Sequence, residues 1–433
     1  MLAANFKETP YWWEAAPPET ETDEPLPPET EIAIVGAGYC GLCCALELVE
    51  NGVNVTVLEA GALGQGASTR NGGMVTGGQK LVVSGAAAKV DAKQRAHLLD
   101  DARDSLALLE ARVARYRLDA DYQRCGRVIL AHVPRHYPRL EQWAEILSRE
   151  AGSETSLVPR ERLNDEIGGS RYYGGLLIAD YGGLHPAKYH RSLRDAVRSR
   201  GASLHANTEV TAIARASEGF RLTTSRGVIR AREVFVATNG YTGSLVPHLR
   251  ARVLPVASYI IATEPLWPGL AEHLSPHRRM FSDTRKNLAY FRLSPDETRV
   301  LYGSRPIALA RNPPAVAASL HRQLCDIWPE MRDIRITHCW TGNVGMTADG
   351  LPHMGSFEGI HYALGCNGSG VAMMSYLGYR MALKLMQRQN RPTAFDSQHF
   401  TAIPVPVGRS WVTPVISEWY RTRDKLERLV GRA

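Results

Sequence analysis

Apolar positions along this chain change period several times, and each change marks an element. Ile32-Ala33-Ile34-Val35 is an unbroken apolar run of strand length, followed by a helical pattern to Asn51-Gly52 and a second apolar run, Val53 to Leu58. That order predicts a strand-helix-strand unit. Asp91 to Arg117 reads as a long polar helix with a stripe of Leu98, Leu99, Leu106, Leu108, Leu109 and Val113. Val128 to Val133 reads as a strand, Tyr137 to Glu150 as an amphipathic helix, and Pro186 to Arg200 as a helix stopped by Gly201. Short strands are predicted at Leu204 to Ala206, Val210 to Ala214, Phe220 to Thr224, Val228 to Arg230 and Glu233 to Ala237. Longer strands follow at Val253 to Thr263, Leu288 to Leu293 and Val300 to Gly303, with helices at Val316 to Trp328 and Val371 to Met386. Residues 1–29 carry Tyr11-Trp12-Trp13 ahead of Pro17-Pro18, Pro25 and Pro27-Pro28. They are predicted as an extended arm whose rings need a surface.

The turn inside the first unit is Gly36-Ala37-Gly38-Tyr39-Cys40-Gly41, and the second strand is closed by Glu59. The first glycine allows the tight turn, the second lets backbone approach a pyrophosphate, and the third lets helix pack on strand. Glu59 stands where a carboxylate accepts hydrogen bonds from a ribose. This fingerprint does not separate FAD from NAD. A glycine-dense loop, Ala60 to Gly73, follows at once and contains Ser68, Arg70, Asn71, Gly72 and Gly73. Far along the chain lie Trp340-Thr341-Gly342, Asp349-Gly350-Leu351-Pro352 and a second glycine-rich helix start, Gly368-Ser369-Gly370-Val371. The cofactor is therefore expected to be held from both ends of the sequence.

On these residues the chain resembles the flavin-dependent amine and amino-acid oxidoreductases of the D-amino-acid oxidase and sarcosine oxidase superfamily. The Gly66-Ala67-Ser68-Thr69-Arg70-Asn71-Gly72-Gly73 loop, the Trp340-Thr341-Gly342-Asn343 segment and the aromatic arm look most like the members that act on gamma-glutamylated diamines. The resemblance runs from about residue 30 to the end. It implies an α/β fold in which a Rossmann-like FAD-binding domain is interleaved with an α+β substrate domain on a mainly antiparallel sheet. The FAD-binding domain is expected from 30–83, 149–246 and 337–393, the substrate domain from 84–148 and 247–336. A C-terminal extension with a helix follows at 394–433. The resemblance also implies that Val210 offers backbone groups to the adenine, that Asn239-Gly240 makes a second diphosphate contact, and that Gly368, Ser369 and Gly370 aim a helix N-terminus at the flavin C2 carbonyl.

Length and composition narrow this picture. At 433 residues two domains are expected. The formal charge of +7 comes from scattered arginines without a nucleic-acid tract. No apolar stretch reaches the ~20 residues of a membrane span, and the first residues lack the basic and apolar regions of a signal peptide. A cytoplasmic protein, monomer or homodimer, is expected. The seven cysteines read as reduced thiols, with Cys40-x-x-Cys43 a weakly placed redox pair on a nucleotide-binding helix. No metal-ligand spacing and no nucleophile elbow is present.

The expected chemistry is transfer of a hydride equivalent from the carbon next to an amine nitrogen to flavin N5, then hydrolysis of the imine. Tyr259 and Tyr290 are candidate aromatic walls, with core aromatics as the bland alternative. Arg292 is a candidate reader of a substrate carboxylate, with a surface ion pair as its alternative. Arg305 joins it because Gly303-Ser304-Arg305 stands where the family has a run of glycines. Trp340 is expected near the flavin. His185 reads either as a base or as a helix cap. Ser369 replaces the family's frequent histidine, the first loop offers no histidine for covalent attachment, and Cys339 lies one residue out of register, so noncovalent FAD is expected. Three readings follow. The first is an oxidase of carboxylated amines with oxygen as acceptor, for which Lys286 is a weak oxygen-site candidate. The second is an N-methyl or D-amino-acid enzyme, or one that passes electrons to a carrier. The third is a flavin-binding module without catalysis.

Overall fold

A computed structural model describes residues 1–20, 24–169, 171–304, 312–389, 391–396 and 399–404, with Thr422, Asp424 and Glu427 beyond them. Arg305 and most of the C-terminal extension lie outside these residues. The predicted strand-helix-strand unit forms as Glu29–Val35, Tyr39–Glu50 and Val55–Leu58. Its strands are parallel and continue the ladder to Ser203–His205 on one side and Gly227–Val236 on the other. Strand Ile360–Leu364 also joins Gly227–Val236 in parallel, while Phe220–Thr224 and Val210–Arg215 extend it as an antiparallel meander. Every residue of Val55–Leu58 is buried, as a central parallel strand demands.

The first helix, Tyr39–Glu50, and the last, Gly370–Leu385, pack against each other across the buried face of this sheet. They approach closely because Gly378 has no side chain. A Cβ there would sit 2.1 Å from the Cys40 carbonyl oxygen. Cys40, Cys43 and Cys44 are buried in this crossing, and burial pushes the Cys40 and Cys44 thiols well above their usual range. All seven cysteines are free, and these three act as small hydrophobes.

The second layer is a nine-stranded sheet in the order Leu2–Lys7, Ile336–Met346, Leu254–Thr263, Val300–Ser304, Tyr290–Leu293, Met280–Asp283, Arg127–Leu130, Gly175–Ile178, Thr155–Val158. It is mixed. Two of its pairings, Leu2–Lys7 with Ile336–Met346 and Met280–Asp283 with Arg127–Leu130, are parallel, and the rest are antiparallel.

Several expected boundaries change. Thr155–Val158, Gly175–Ile178 and Ile336–Met346 lie in the large sheet, outside the FAD-binding part expected for their stretches: Gly175–Ile178 pairs with Arg127–Leu130 and carries the edge strand Thr155–Val158 with it, and Ile336–Met346 pairs with Leu254–Thr263 and Leu2–Lys7. Gly227–Val236 is one continuous strand where two were expected. The N-terminal arm is not simply extended, since Leu2–Lys7 is a strand and Tyr11–Glu14 a single 3-10 turn. Trp12 is fully buried with Trp340, Ile260, Ala262 and Leu301, so the arm is fixed by its aromatic rings.

Candidate functional site

Two connected hollows lie between the layers. The outer cleft follows the nucleotide fingerprint and is bordered by Gly36, Gly38, Glu59, Ala60, Ser68, Arg70, Val210 and Asn239. The inner pocket is bordered by Asn71, Gly72, Tyr290, Gly368, Ser369, Gly370 and Val371. Gly38, Ala67, Ser68, Arg70, Ala237, Asn239, Gly342 and Asn343 border both, so the two form one continuous space.

The turn between the first strand and helix is possible only with glycine. Gly36 has φ +106°, and a Cβ on Gly41 would lie 2.0 Å from the Gly36 carbonyl oxygen. Gly38 caps the helix in an extended conformation, and Ser68 Oγ accepts from the Tyr39 N–H at 3.0 Å. Glu59 accepts from the Ala37 N–H at 2.8 Å and the Gly61 N–H at 3.3 Å. Burial nevertheless raises its carboxyl above the usual range, so a ribose hydroxyl donating to it would meet an electron-rich, under-solvated acceptor. His190 was missed from sequence. Its Nε2 donates to the Ala37 carbonyl at 2.7 Å, and burial pushes its pKa down to about 4, which keeps the ring neutral.

The glycine-dense loop is braced from behind by three indoles. Trp12 Nε1 donates to the Asn71 carbonyl, Trp13 Nε1 to Thr69 Oγ1, and Trp340 Nε1 to the Arg70 carbonyl, each at 2.9 Å. The Arg70 guanidinium stacks on Trp13 at 4.5 Å and donates to the Gln65 and Thr341 carbonyls. Asn71 braces the loop from within, accepting from the Gly73 N–H and donating to the Ala67 and Ser68 carbonyls. At the far wall Asn239, at φ +44°, accepts from the Gly365 and Cys366 N–H groups. The N-terminus of helix Gly370–Leu385 opens onto the inner pocket, where Ser369 Oγ pairs with Thr76 Oγ1 at 2.8 Å.

Several candidates take other places. Trp340 borders neither hollow; its ring is in the cluster with Trp12, and it acts on the loop's outer side. Tyr259 is also absent from the lining, because on strand Leu254–Thr263 the neighbouring Ser258 faces the pocket and bonds the Tyr290 hydroxyl at 3.1 Å. Tyr259 packs instead against the core of the large sheet. Period-two alternation makes one residue of slip a change of face. Tyr290 does line the pocket, with its ring beside Gly72. Arg292 shares that side, but its guanidinium is buried and donates to the carbonyls of Gly73, Leu184 and Leu293. That occupation corrects the carboxylate-reading role expected of it and makes it a tie for the loop end. Gly41, Gly73 and Gly240 pack against backbone and do not border the space. His185 caps helix Pro186–Arg198 by accepting from the Lys188 N–H at 3.2 Å. Lys286 gives its N–H to Asp424 and is not in the lining.

Other lining residues had no sequence signal strong enough to find them. Thr76, Gln79, Lys80, Arg127 and Ser258 come from a loop, a short helix and two strand positions that only tertiary pairing brings together. Among the described residues of the inner pocket's lining there is no carboxylate and no imidazole. No group of metal-ligating side chains occurs among the described residues either.

Comparison with known proteins fits this geometry. The profile of the DAO family, FAD dependent oxidoreductase, matches residues 31–383. The chain belongs to this family. This oxidoreductase is similar to gamma-glutamylputrescine oxidoreductase of Escherichia coli strain K12, 31% identical over 409 residues that cover 92% of this chain and 93% of that one. It is also similar to the probable oxidoreductase OrdL of Rhizobium meliloti strain 1021, 30% identical over 422 residues and covering 96% and 97% of the two chains. The crystal structure of glycine oxidase from Geobacillus kaustophilus matches with a TM-score of 0.73 at 22% identity, covering 88% of this chain and 100% of that one, which shows the shared fold. The oxidoreductase is thus an FAD enzyme acting on the CH–NH groups of amines or amino acids. The residues present fit the cofactor: a continuous space from Val210 at the meander to Gly370 at the start of helix Gly370–Leu385, a glycine turn under a helix N-terminus, and the Glu59 carboxylate beside that turn. No helix among the described residues is long and apolar enough to cross a membrane.

Proposed function

We propose that this oxidoreductase oxidises the amine carbon–nitrogen bond of gamma-glutamylputrescine or a similar carboxylated amine, with noncovalently held FAD and dioxygen as electron acceptor. The sign of charge in the inner pocket carries the reading. Arg70 and Arg127 border it and no described carboxylate does, an environment that repels a free diamine charged at both ends and favours an amine whose far end is anionic. The similarity to gamma-glutamylputrescine oxidoreductase supports the same substrate class.

In this reading the Gly36–Gly41 turn, Glu59 and Val210 hold the adenine end of FAD, and Asn239 and the Ala60 to Gly73 loop hold its middle. Gly368 to Val371 present a helix N-terminus where negative charge develops on reduction. Bound FAD supplies the two-electron oxidation. The protein orients the amine between Tyr290 and the floor of Leu288 and Met374, and excludes water through the loop held by three indoles. With no described carboxylate or imidazole in the lining, the reacting amine arrives already neutral from solution. Cys339 is buried and burial pushes its thiol up to about 12, which opposes covalent attachment through its thiolate.

Anaerobic mixing with candidate amines tests the reading. Gamma-glutamylputrescine should bleach the flavin absorbance at concentrations where putrescine does not, air should restore the yellow form with hydrogen peroxide released, and acid should free the FAD. Preferential bleaching by putrescine or by a small amino acid would overturn the substrate class, and a colour restored only by a carrier protein would overturn the acceptor.

A further inference from the structure

Arg127 opens the strand Arg127–Leu130 of the large sheet, is 7% exposed, and borders the inner pocket. Its Nε donates to Ser282 Oγ at 3.2 Å. Nη1 and Nη2 bond no described residue, and no described carboxylate lies within ion-pair distance. Burial pulls the pKa of Arg127 down to about 10, opposed among the described residues by Tyr181. Other arginines of this layer have partners: Arg285, Arg279 and Arg171 pair with Asp283, Glu166 and Asp326, and the buried Arg292 gives its donors to the carbonyls of Gly73, Leu184 and Leu293. A buried guanidinium kept charged without a counter-ion costs stability, and two free donors on a planar fork fit a carboxylate.

A second unsatisfied group lines the same pocket. Gln79, 5% exposed, opens the short helix Gln79–Val83, and its side-chain Oε1, as assigned, has no donor. Its backbone N–H donates to the Tyr181 hydroxyl at 3.0 Å, so the phenol beside Arg127 is also bonded to the Gln79 backbone. Arg127 and Gln79 thus both border the inner pocket, the first with Nη donors and the second with an acceptor that no described residue meets.

We propose that Arg127 and Gln79 form the subsite for the α-amino-acid end of a gamma-glutamyl group, Arg127 gripping the α-carboxylate and Gln79 Oε1 accepting from the α-ammonium. This rests on the substrate class proposed above and names the residues that select it. The pairing explains why the pocket tolerates a zwitterionic head whose cation lies beside an arginine. The substrate's carboxylate neutralises Arg127, and its ammonium is bound by a neutral oxygen, not by a competing acid.

Four acylated putrescines separate the contributions: gamma-glutamyl, glutaryl (carboxylate only), 4-aminobutanoyl (ammonium only) and butanoyl (neither). Their dissociation constants are read from anaerobic flavin reduction and, with the oxidised enzyme, from calorimetric binding of gamma-glutamylbutylamide, which lacks the reacting amine. Arg127→Met should weaken gamma-glutamyl and glutaryl compounds by roughly 10- to 100-fold and leave the other two within a few-fold. Gln79→Leu should weaken the gamma-glutamyl and 4-aminobutanoyl compounds selectively. Arg127→Lys should recover part of the loss, and Arg127→Met should melt no lower than the parent, because it removes an unpaired buried charge. Equal weakening of all four compounds, or a lowered melting temperature with unchanged selectivity, would make Arg127 a structural residue and overturn the proposal. If the parent enzyme bleaches with none of the four, the substrate class fails; calorimetry with the amide then still decides whether Arg127 and Gln79 bind the head group.

Discussion

Single side chains in this enzyme divide into those that face the cofactor space and those that hold its walls. Glu59 belongs to the first group and borders the outer cleft, not the inner pocket. Glu59→Ala should weaken FAD binding by roughly 10- to 100-fold, as loss of a charged hydrogen-bonding group does, while turnover of fully loaded enzyme stays near the parent value. Equilibrium dialysis of FAD beside saturated turnover checks this, and an unchanged FAD affinity would remove Glu59 from the ribose site. Arg292 illustrates the second group. Sequence places it on the correct face beside Tyr290, but a face does not say what a long side chain reaches, and here three carbonyls take up the guanidinium. Arg127 shows the opposite failure. The apolar run begins at Val128, so the arginine ahead of it reads as a solvated strand end, and only its pairing opposite Met280 and Ile178 buries it.

Among elements, those built from neighbouring residues were legible. The strand-helix-strand unit with Gly36, Gly38 and Gly41 is local, and its turn chemistry can be read letter by letter. Membership of the large sheet is not legible this way, because Gly175–Ile178 and Ile336–Met346 join it through Arg127–Leu130, Leu254–Thr263 and Leu2–Lys7, and Thr155–Val158 follows only as the partner of Gly175–Ile178. The N-terminal arm was half legible: its aromatic rings announce a surface, but not that the surface is the outer side of the cofactor loop. Trp12→Ala should cost about 3–5 kcal/mol, the range for emptying a buried aromatic site. Trp12→Phe should cost about 1 kcal/mol, mainly the bond to the Asn71 carbonyl. Both should speed FAD release, measured by stopped-flow recovery of flavin fluorescence. Loss of stability without faster release would mean that the arm supports the sheet and leaves the loop alone.

At the scale of the whole molecule, burial of neutral histidines sets the acid limit. His185, His190 and His338 are each pushed down by burial to about 4 from an ordinary 6.5. Folding therefore excludes protons that the unfolded chain takes up between these values, so stability is full above about pH 6.5 and declines as the pH falls toward 4. Melting temperatures recorded across this window should drop steadily, and His190→Gln should flatten part of the slope. A flat profile would show that these rings are protonated in the folded protein.

The pairing of Leu2–Lys7 with Ile336–Met346 also constrains the order of events during synthesis. Leu2–Lys7 is made well before its partner, and Trp12 packs on Ile260, Leu301 and Trp340, which also come later, so its seat is complete only once those segments exist. Until then the loop that precedes Gly73 lacks its outer support. A nascent chain arrested before residue 336 would hold the complete nucleotide fingerprint and still lack Trp340 and the helix start at Gly370, so it should bind FAD more weakly than the full chain.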